Sequence, residues 1–454
     1  MKLLKPLKPL KPYLEILRLV WPLALGMINN AVMQFIDRAY LSHDSMRALE
    51  AVLPAGMLMW IFAGFFQSVI GYSSVFVGQY HGAGDEAKCR STYSAALLLA
   101  ALFSVLSLPL VFAGNGILSL TTSSAALLQD ERTYFDITMV GSIFIYGQMA
   151  AASYFTGRGR TRIVFWVNLA GNLLNIALDP LLIFGWCCFP RLGIAGAAIA
   201  TVASLALQTV ILLFFAHRET ACSVSRPSSP DPRPSSILLP ILRFGVPSGL
   251  YTVLNSLSFT IFVFATGGVG ELELAVSNAC FTVNYLLFAP MEGFSLGAST
   301  LVAQAIGRGE PDAAALAARR TVLLGVGFVA VCSIFVLVFS HPILSLFAAK
   351  AGAAEAEFHS LGFTLFLLMS AWQVFDAADV IISGALKGGG DTKFVMVWMF
   401  LSAFVLWMPM VFAVHRFHNT MPALWMTMIA YVIVICVGSF VRWRRGKWRE
   451  IKVT

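Results

Sequence analysis

Twelve apolar blocks, each about 20 residues or longer, leave this chain few ways to fold. A run of that length is what an α-helix needs to cross a hydrocarbon core about 30 Å thick. Lipid offers no hydrogen bonds, so every backbone N–H and C=O must be satisfied inside the segment, and helices do this. The blocks lie near residues 14–42, 51–80, 91–113, 133–155, 163–185, 192–216, 239–265, 274–304, 318–340, 360–386, 393–414 and 421–441. Composition agrees: 58% of residues are hydrophobic and 12% are charged, where soluble domains carry about 25% charged residues. The expected fold class is an all-α polytopic membrane protein with twelve transmembrane helices in two six-helix lobes related by internal duplication.

The formal net charge of +8 raises the question of a nucleic-acid partner, and the placement of the charge answers it. With the N-terminus inside, 25 of the 31 Lys and Arg residues fall on inner tails and loops. That asymmetry predicts a multi-pass protein of the cell inner membrane with both termini cytoplasmic. The basic ends, KLLKPLKPLKP and RWRRGKWREIK, then face anionic lipid, and no nucleic acid is needed to account for them. No small-residue cleavage site follows the N-terminal basic stretch, so the first helix is expected to be kept as an anchor. The cysteines at 89, 187, 188, 222, 280, 332 and 436 show neither metal spacing nor a paired framework, and no structural disulfide or redox role is expected.

The least membrane-like stretch is HRETACSVSRPSSPDPRPSS, rich in Pro, Ser and charge. It reads as a cytoplasmic linker over 217–236 between an N-lobe (14–216) and a C-lobe (237–441), flanked by tails at 1–13 and 442–454. The two sides echo each other: VGQYHGAGD at Val77–Asp85 matches VAQAIGRGE at Val302–Glu310, and the same offset lays Pro22 on Pro247 and Asn30 on Asn255. Both halves start from the same side of the membrane, as in parallel-repeat transporters that hold substrate between two bundles.

Polar residues inside such spans are expensive, and they become functional candidates when they line one helix face. Span 1 carries Gly26, Asn30, Gln34 and Asp37 at steps of 4, 4 and 3; span 5 carries Asn168, Asn172, Asn175 and Asp179 at steps of 4, 3 and 4. Span 6 repeats the pattern with Thr201, Ser204 and Gln208. In the second half, Trp372, Asp376, Asp379 and Ser383 share a face of span 10, while span 7 offers Asn255 and span 8 offers Glu292. Asn30, Gln34, Asn168 and Asn172 are candidates to line a cavity. Membrane amides also serve as interhelical glue, and Asp37 lies far enough along span 1 to reach the interface, so both readings stay open for those positions.

Together these segments resemble the multidrug and toxic compound extrusion (MATE) family of secondary transporters. The carriers are WPLALG into FIDRAY, VGQYHGAGD, LNIALDPLLIFG followed by LGIAGAAIAT, and, in the second half, FGVPSGL, VAQAIGRGE and DAADVIISGALKGGGDTK. The resemblance implies two six-helix lobes around a central cavity and cation-driven export by alternating access. One branch of the family places its cation and proton site on positions that fall here on Asp37, Asn175, Asp179 and Thr201. Another uses the second lobe, where its aspartate matches Asp376 but its glutamate position holds Asn255. The implied function is a cation-coupled antiporter for amphipathic, cationic organic compounds. The coupling ion would be H⁺ or Na⁺, with no cofactor and no metal beyond transported Na⁺. Small organic molecules and membrane lipid are the expected partners, and the chain is expected to act as a monomer. Two rivals stand beside it. One is an exporter of lipid-linked saccharides from the same superfamily; the other is an intramembrane aspartyl protease, suggested by Gly-Gly-Gly-Asp at 388–391.

Overall fold

In a computed structural model, residues 11–122, 124–186, 189–224, 233–348, 354–451 and 453 are described. The N-terminal tail up to residue 10, the adjacent Cys187 and Cys188, and the centre of the expected linker (225–232) lie outside them.

Among the described residues, twelve helices have the length and apolar character of membrane spans, as the blocks predicted. They are α1 (Pro12–Asp44), α2 (Met46–Gly82), α3 (Glu86–Leu120), α4 (Ala125–Gly157), α5 (Thr161–Ile183) and α6 (Ile194–Ala221). The second half supplies α7 (Pro234–Thr266), α8 (Glu271–Gly307), α9 (Pro311–Val338), α10 (Glu355–Gly388), α11 (Thr392–Phe417) and α12 (Met421–Arg444). A short helix, Ser340–Ala348, lies between α9 and α10.

Their ends follow from local chemistry. Ser45 accepts from the Ala48 N–H to start α2, and Asp85 accepts from the Lys88 N–H at 3.0 Å to start α3. These side chains satisfy donors that the first helical turn leaves free. Interruptions fall at Tyr72 in α2 and Gly141 in α4. In α11 the turn widens to π geometry over Leu401–Trp407, just before Pro409. Prolines inside α1, α3, α5, α7 and α8 are tolerated because neighbouring helices and side chains satisfy the freed groups. Phe112, Leu120, Phe264 and Leu346 are exposed large apolar side chains, a surface suited to lipid and not to water.

The chain forms two compact units. One contains residues 25–253, 303–310 and 453–454; the other contains 1–24, 254–302 and 311–452. In the first, α5 and α6 approach so closely that a Cβ on Gly171 would overlap the Gln208 side chain. The end of α8 also packs there: Gln304 Nε2 donates to the Gly157 carbonyl at 2.8 Å. In the second unit, Trp372, Trp407 and Trp425 are almost fully buried, and Trp425 donates to Ser277. Asp391, at the start of α11, is held by Arg442 of α12 through bonds of 2.6 and 3.1 Å. Cys89, Cys280, Cys332 and Cys436 are free thiols among the described residues.

Candidate functional site

Helical periodicity brings the polar faces of α1 and α5 together in the first unit. Asn172 Nδ2 donates to Asn30 Oδ1 at 2.8 Å. One level further from the N-terminal end of α1, the Asn175 amide, assigned the orientation that turns its nitrogen to the carboxylate, donates to Asp37 Oδ1 at 2.8 Å. Its oxygen accepts from the Thr201 N–H at 3.3 Å. Thr201 therefore meets the site through its backbone, while its hydroxyl donates to the Ala197 carbonyl.

Asp179 completes the group. It has no exposed surface, and neither carboxyl oxygen has a partner at hydrogen-bond distance. Its side chain interacts directly with that of Asp37. With no partner in bonding range, the pair is a close approach and not a made hydrogen bond. Pro180 follows Asp179 in the helix and has no N–H to offer. Two acids this close in an apolar surround cannot both keep a bare charge; a shared proton or a small cation between them removes the conflict.

The amides continue away from the acids as one network. Asn172 accepts from Gln208 at 3.4 Å, Gln208 accepts from Gln148, and Gln148 also donates to Asn168 at 3.0 Å. Asn168, Asn172 and Asn30 are thus bonded to one another or to a neighbour in the interior of the bundle, in the manner of interhelical glue. Gln34 is exposed and stands apart from this network. Two participants escaped the sequence reading. Gln148 is a lone amide in the apolar run FIYGQMAAAS, a signal that was there to be read. Tyr134 of α4 is close enough to feel the charge of both Asp37 and Asp179, and nothing in its sequence context marks it.

The C-lobe candidates form a different cluster in the second unit. Asp376, Asp379 and Glu292 interact through their charges. Asp379 takes a hydrogen bond from Ser439, while its Oδ1 has no partner. Lys387, absent from the sequence-level candidates, interacts with both Glu292 and Asp379, so this cluster carries a cation of its own. Asn255 is half-buried and belongs to neither group. Among the described residues, no set of three or more His, Cys, Asp or Glu side chains is arranged to hold a metal ion.

Among the described residues, twelve membrane-length helices with polar side chains bonded to one another inside the spans define a polytopic membrane protein. The chain belongs to the MATE family: the MatE family profile matches residues 22–181 and 247–413, one stretch in each half. Among its relatives, the probable multidrug resistance protein NorM of Thermotoga maritima is 25% identical over 442 residues, spanning 96% of this chain and 94% of that protein. The multidrug resistance protein MdtK of Edwardsiella ictaluri is 22% identical, spanning 96% of this chain and 95% of its own length. The same fold recurs in a solved outward-facing conformation of a multidrug resistance MATE family transporter. Its TM-score is 0.86 at 18% identity, over 99% of this chain and 100% of that one. Family membership makes the chain a transporter and not an enzyme. The Gly-Gly-Gly-Asp run that suggested a protease ends in an aspartate committed to Arg442.

Proposed function

We propose that this transporter exports amphipathic organic cations in exchange for H⁺ or Na⁺, with Asp37 and Asp179 as the coupling acids. The observation that carries the reading is the pair itself: Asp179 fully buried with both oxygens unpartnered, facing an Asp37 held by Asn175. A cation arriving at the pair neutralises the repulsion. It can therefore favour one state of the protein over another, which is what coupling requires. The printed names of the relatives, multidrug resistance proteins, support drug-like cargo. Their coverage of nearly the whole chain supports carrying that function across. In the working orientation both termini lie in the cytoplasm of a cell whose inner membrane the protein crosses, and a monomer suffices.

The second-unit cluster is less suited to the coupling role, since Lys387 already supplies positive charge beside Glu292 and Asp379. The lipid-linked saccharide reading would call for a cluster of basic side chains, whereas the described groups that meet at the first-unit site are carboxylates and amides, with Arg38 beside Asp37.

The test is uptake of a fluorescent organic cation by inside-out vesicles, with pH and Na⁺ gradients imposed one at a time. One of the two gradients should drive accumulation, and Asp179→Asn should abolish the response. Accumulation indifferent to both gradients, or an Asp179→Asn variant that keeps the wild-type response, would remove the proposal.

A further inference from the structure

Asn30, Asp37 and Asp44 follow one another at intervals of seven residues on α1. That spacing keeps them on one seam of a helix whose partner runs beside it. Each makes a bond across the seam. Asn30 accepts from Asn172 at 2.8 Å, Asp37 accepts from Asn175 at 2.8 Å, and Asp44 Oδ1 accepts from Arg191 Nη2 at 2.7 Å. The acid pair is the middle of three rungs, and the outer rung is an ion pair.

The outer rung is not a loose surface contact. The Asp44 side chain is only 8% exposed, although Arg191 is 67% exposed. Arg191 lies on the connection between α5 and α6. That connection is tied back to α5 by the Leu192 N–H on the Leu182 carbonyl and the Gly193 N–H on the Ile183 carbonyl. Gly193 has a positive φ of 55°, and a Cβ there would come within 3.3 Å of Asp44 Oδ2. A residue with a side chain at 193 would be strained and would crowd the carboxylate. Beneath the ion pair, Leu41 packs with Ile183, Ile194 and Ala197, and Tyr40 and Phe184 pack around them.

We infer that Arg191 is a positioning residue for ion coupling: it clamps the far end of α1 to the α5–α6 connection and so holds Asp37 opposite Asp179. This rests on the reading of those two acids as the coupling site. The asymmetry of burial sets the direction of the effect. Without Arg191 a mostly buried carboxylate loses its partner, and it is relieved only if the end of α1 turns outward toward water. Asp37 is two helical turns away and moves with it. A cation that needs both acids then binds less tightly, and if the ion is H⁺ the activity profile moves to lower pH. Asp44→Asn removes the clamp without stranding a charge, so its effect is smaller. Besides each other, the charged and titratable groups facing the acid pair are Arg38 on α1 and Tyr134 on α4; none of these variants alters them.

The experiment measures two things on the full-length chain in lipid vesicles. First, spin labels at His43→Cys and Trp186→Cys, in a background without the native cysteines, report the separation of α1 from the connection. Second, transport of a fluorescent organic cation is titrated against the driving ion. Arg191→Gln should lengthen or broaden the label distance and raise the half-saturating ion concentration about threefold or more. Substrate KM and the rate at saturating ion should stay unchanged. Arg191→Lys should restore most of the ion response. Asp44→Asn/Arg191→Gln should lie closer to wild type than Arg191→Gln alone. An unchanged distance overturns the inference, as does a changed distance with an unchanged ion titration or a loss of rate that saturating ion does not recover. A wild-type chain indifferent to both ions overturns the coupling reading and the inference with it, whatever the distance shows.

Discussion

Asp179 stands in an apolar helix, seven residues beyond Asn172 and four beyond Asn175, with no exposed surface and no hydrogen-bond partner on either oxygen. A lone carboxyl so placed is costly, and its neighbour Asp37 makes it more so unless a positive charge is shared between them. The two acids should therefore behave as one titrating unit. Asp37→Asn and Asp179→Asn should each lower ion-driven transport by about tenfold or more, and the double variant should be no worse than the poorer single one. Initial rates in vesicles, normalised to protein inserted, decide this; losses that multiply in the double variant would show two independent sites. For Asp37, length left a helix end at the interface open until the family resemblance drew it in, but Asp179 was legible from helical spacing, because polar groups at steps of three and four in apolar sequence stand out. Tyr134 was not, since an aromatic residue in a membrane helix has many ordinary reasons to be there. Lys387 was passed over for a similar reason: it reads as a basic anchor at a helix end, and only the fold places its charge beside Glu292 and Asp379.

Among the helices, contacts that bring backbones close decide stability. Gly171 lets α5 approach α6 at the point where Gln208 reaches into the amide network. Gly171→Ala should cost about 1–3 kcal/mol by overpacking, read as a lower melting temperature in detergent. Gln208→Ala in the same chain should recover part of that loss, because it removes the side chain in the way. No recovery would locate the strain elsewhere. The Asp391–Arg442 pair joins α11 to α12, with side-chain exposures of only 5% and 23%. Asp391→Ala leaves a half-buried guanidinium unpaired and should destabilise by up to about 3–5 kcal/mol. In the double variant with Arg442→Met the penalty should be much smaller. Gly-Gly-Gly-Asp matches a short catalytic pattern, but the sequence already sets it on an expected cytoplasmic turn between Lys387 and Lys393, and the packing of α12 adds that Asp391 is engaged by Arg442.

Across the whole chain, the duplication read from sequence reappears as a reciprocal contact within the unit that contains residues 25–253 and 303–310. A Cβ on Gly82 would overlap the Gln304 carbonyl, and a Cβ on Gly307 would overlap the Gln79 carbonyl. Gly82 and Gly307 are equivalent positions of the two repeats, and so are Gln79 and Gln304. Gly78 meets Ala303, its own counterpart, in the same crossing. Small residues four apart on two membrane helices allow their backbones to touch, so the repeated motif encodes a near-symmetric crossing of the ends of α2 and α8. The sequence showed the repeat but not this pairing, because an offset relates positions along a chain and says nothing about which copies touch. If the crossing works as a two-fold contact, damage on either side is equivalent. Gly82→Val and Gly307→Val should slow transport by a similar factor. Each should also raise labelling of an Ala303→Cys thiol by a membrane-impermeant reagent applied from the side of the basic tails. Gly116→Val is the control, since nothing lies within 4 Å of its Cβ; it should leave both measurements unchanged. If only one of the two glycines matters, the contact is not used symmetrically, and the duplication has left its mark on sequence without carrying it into function.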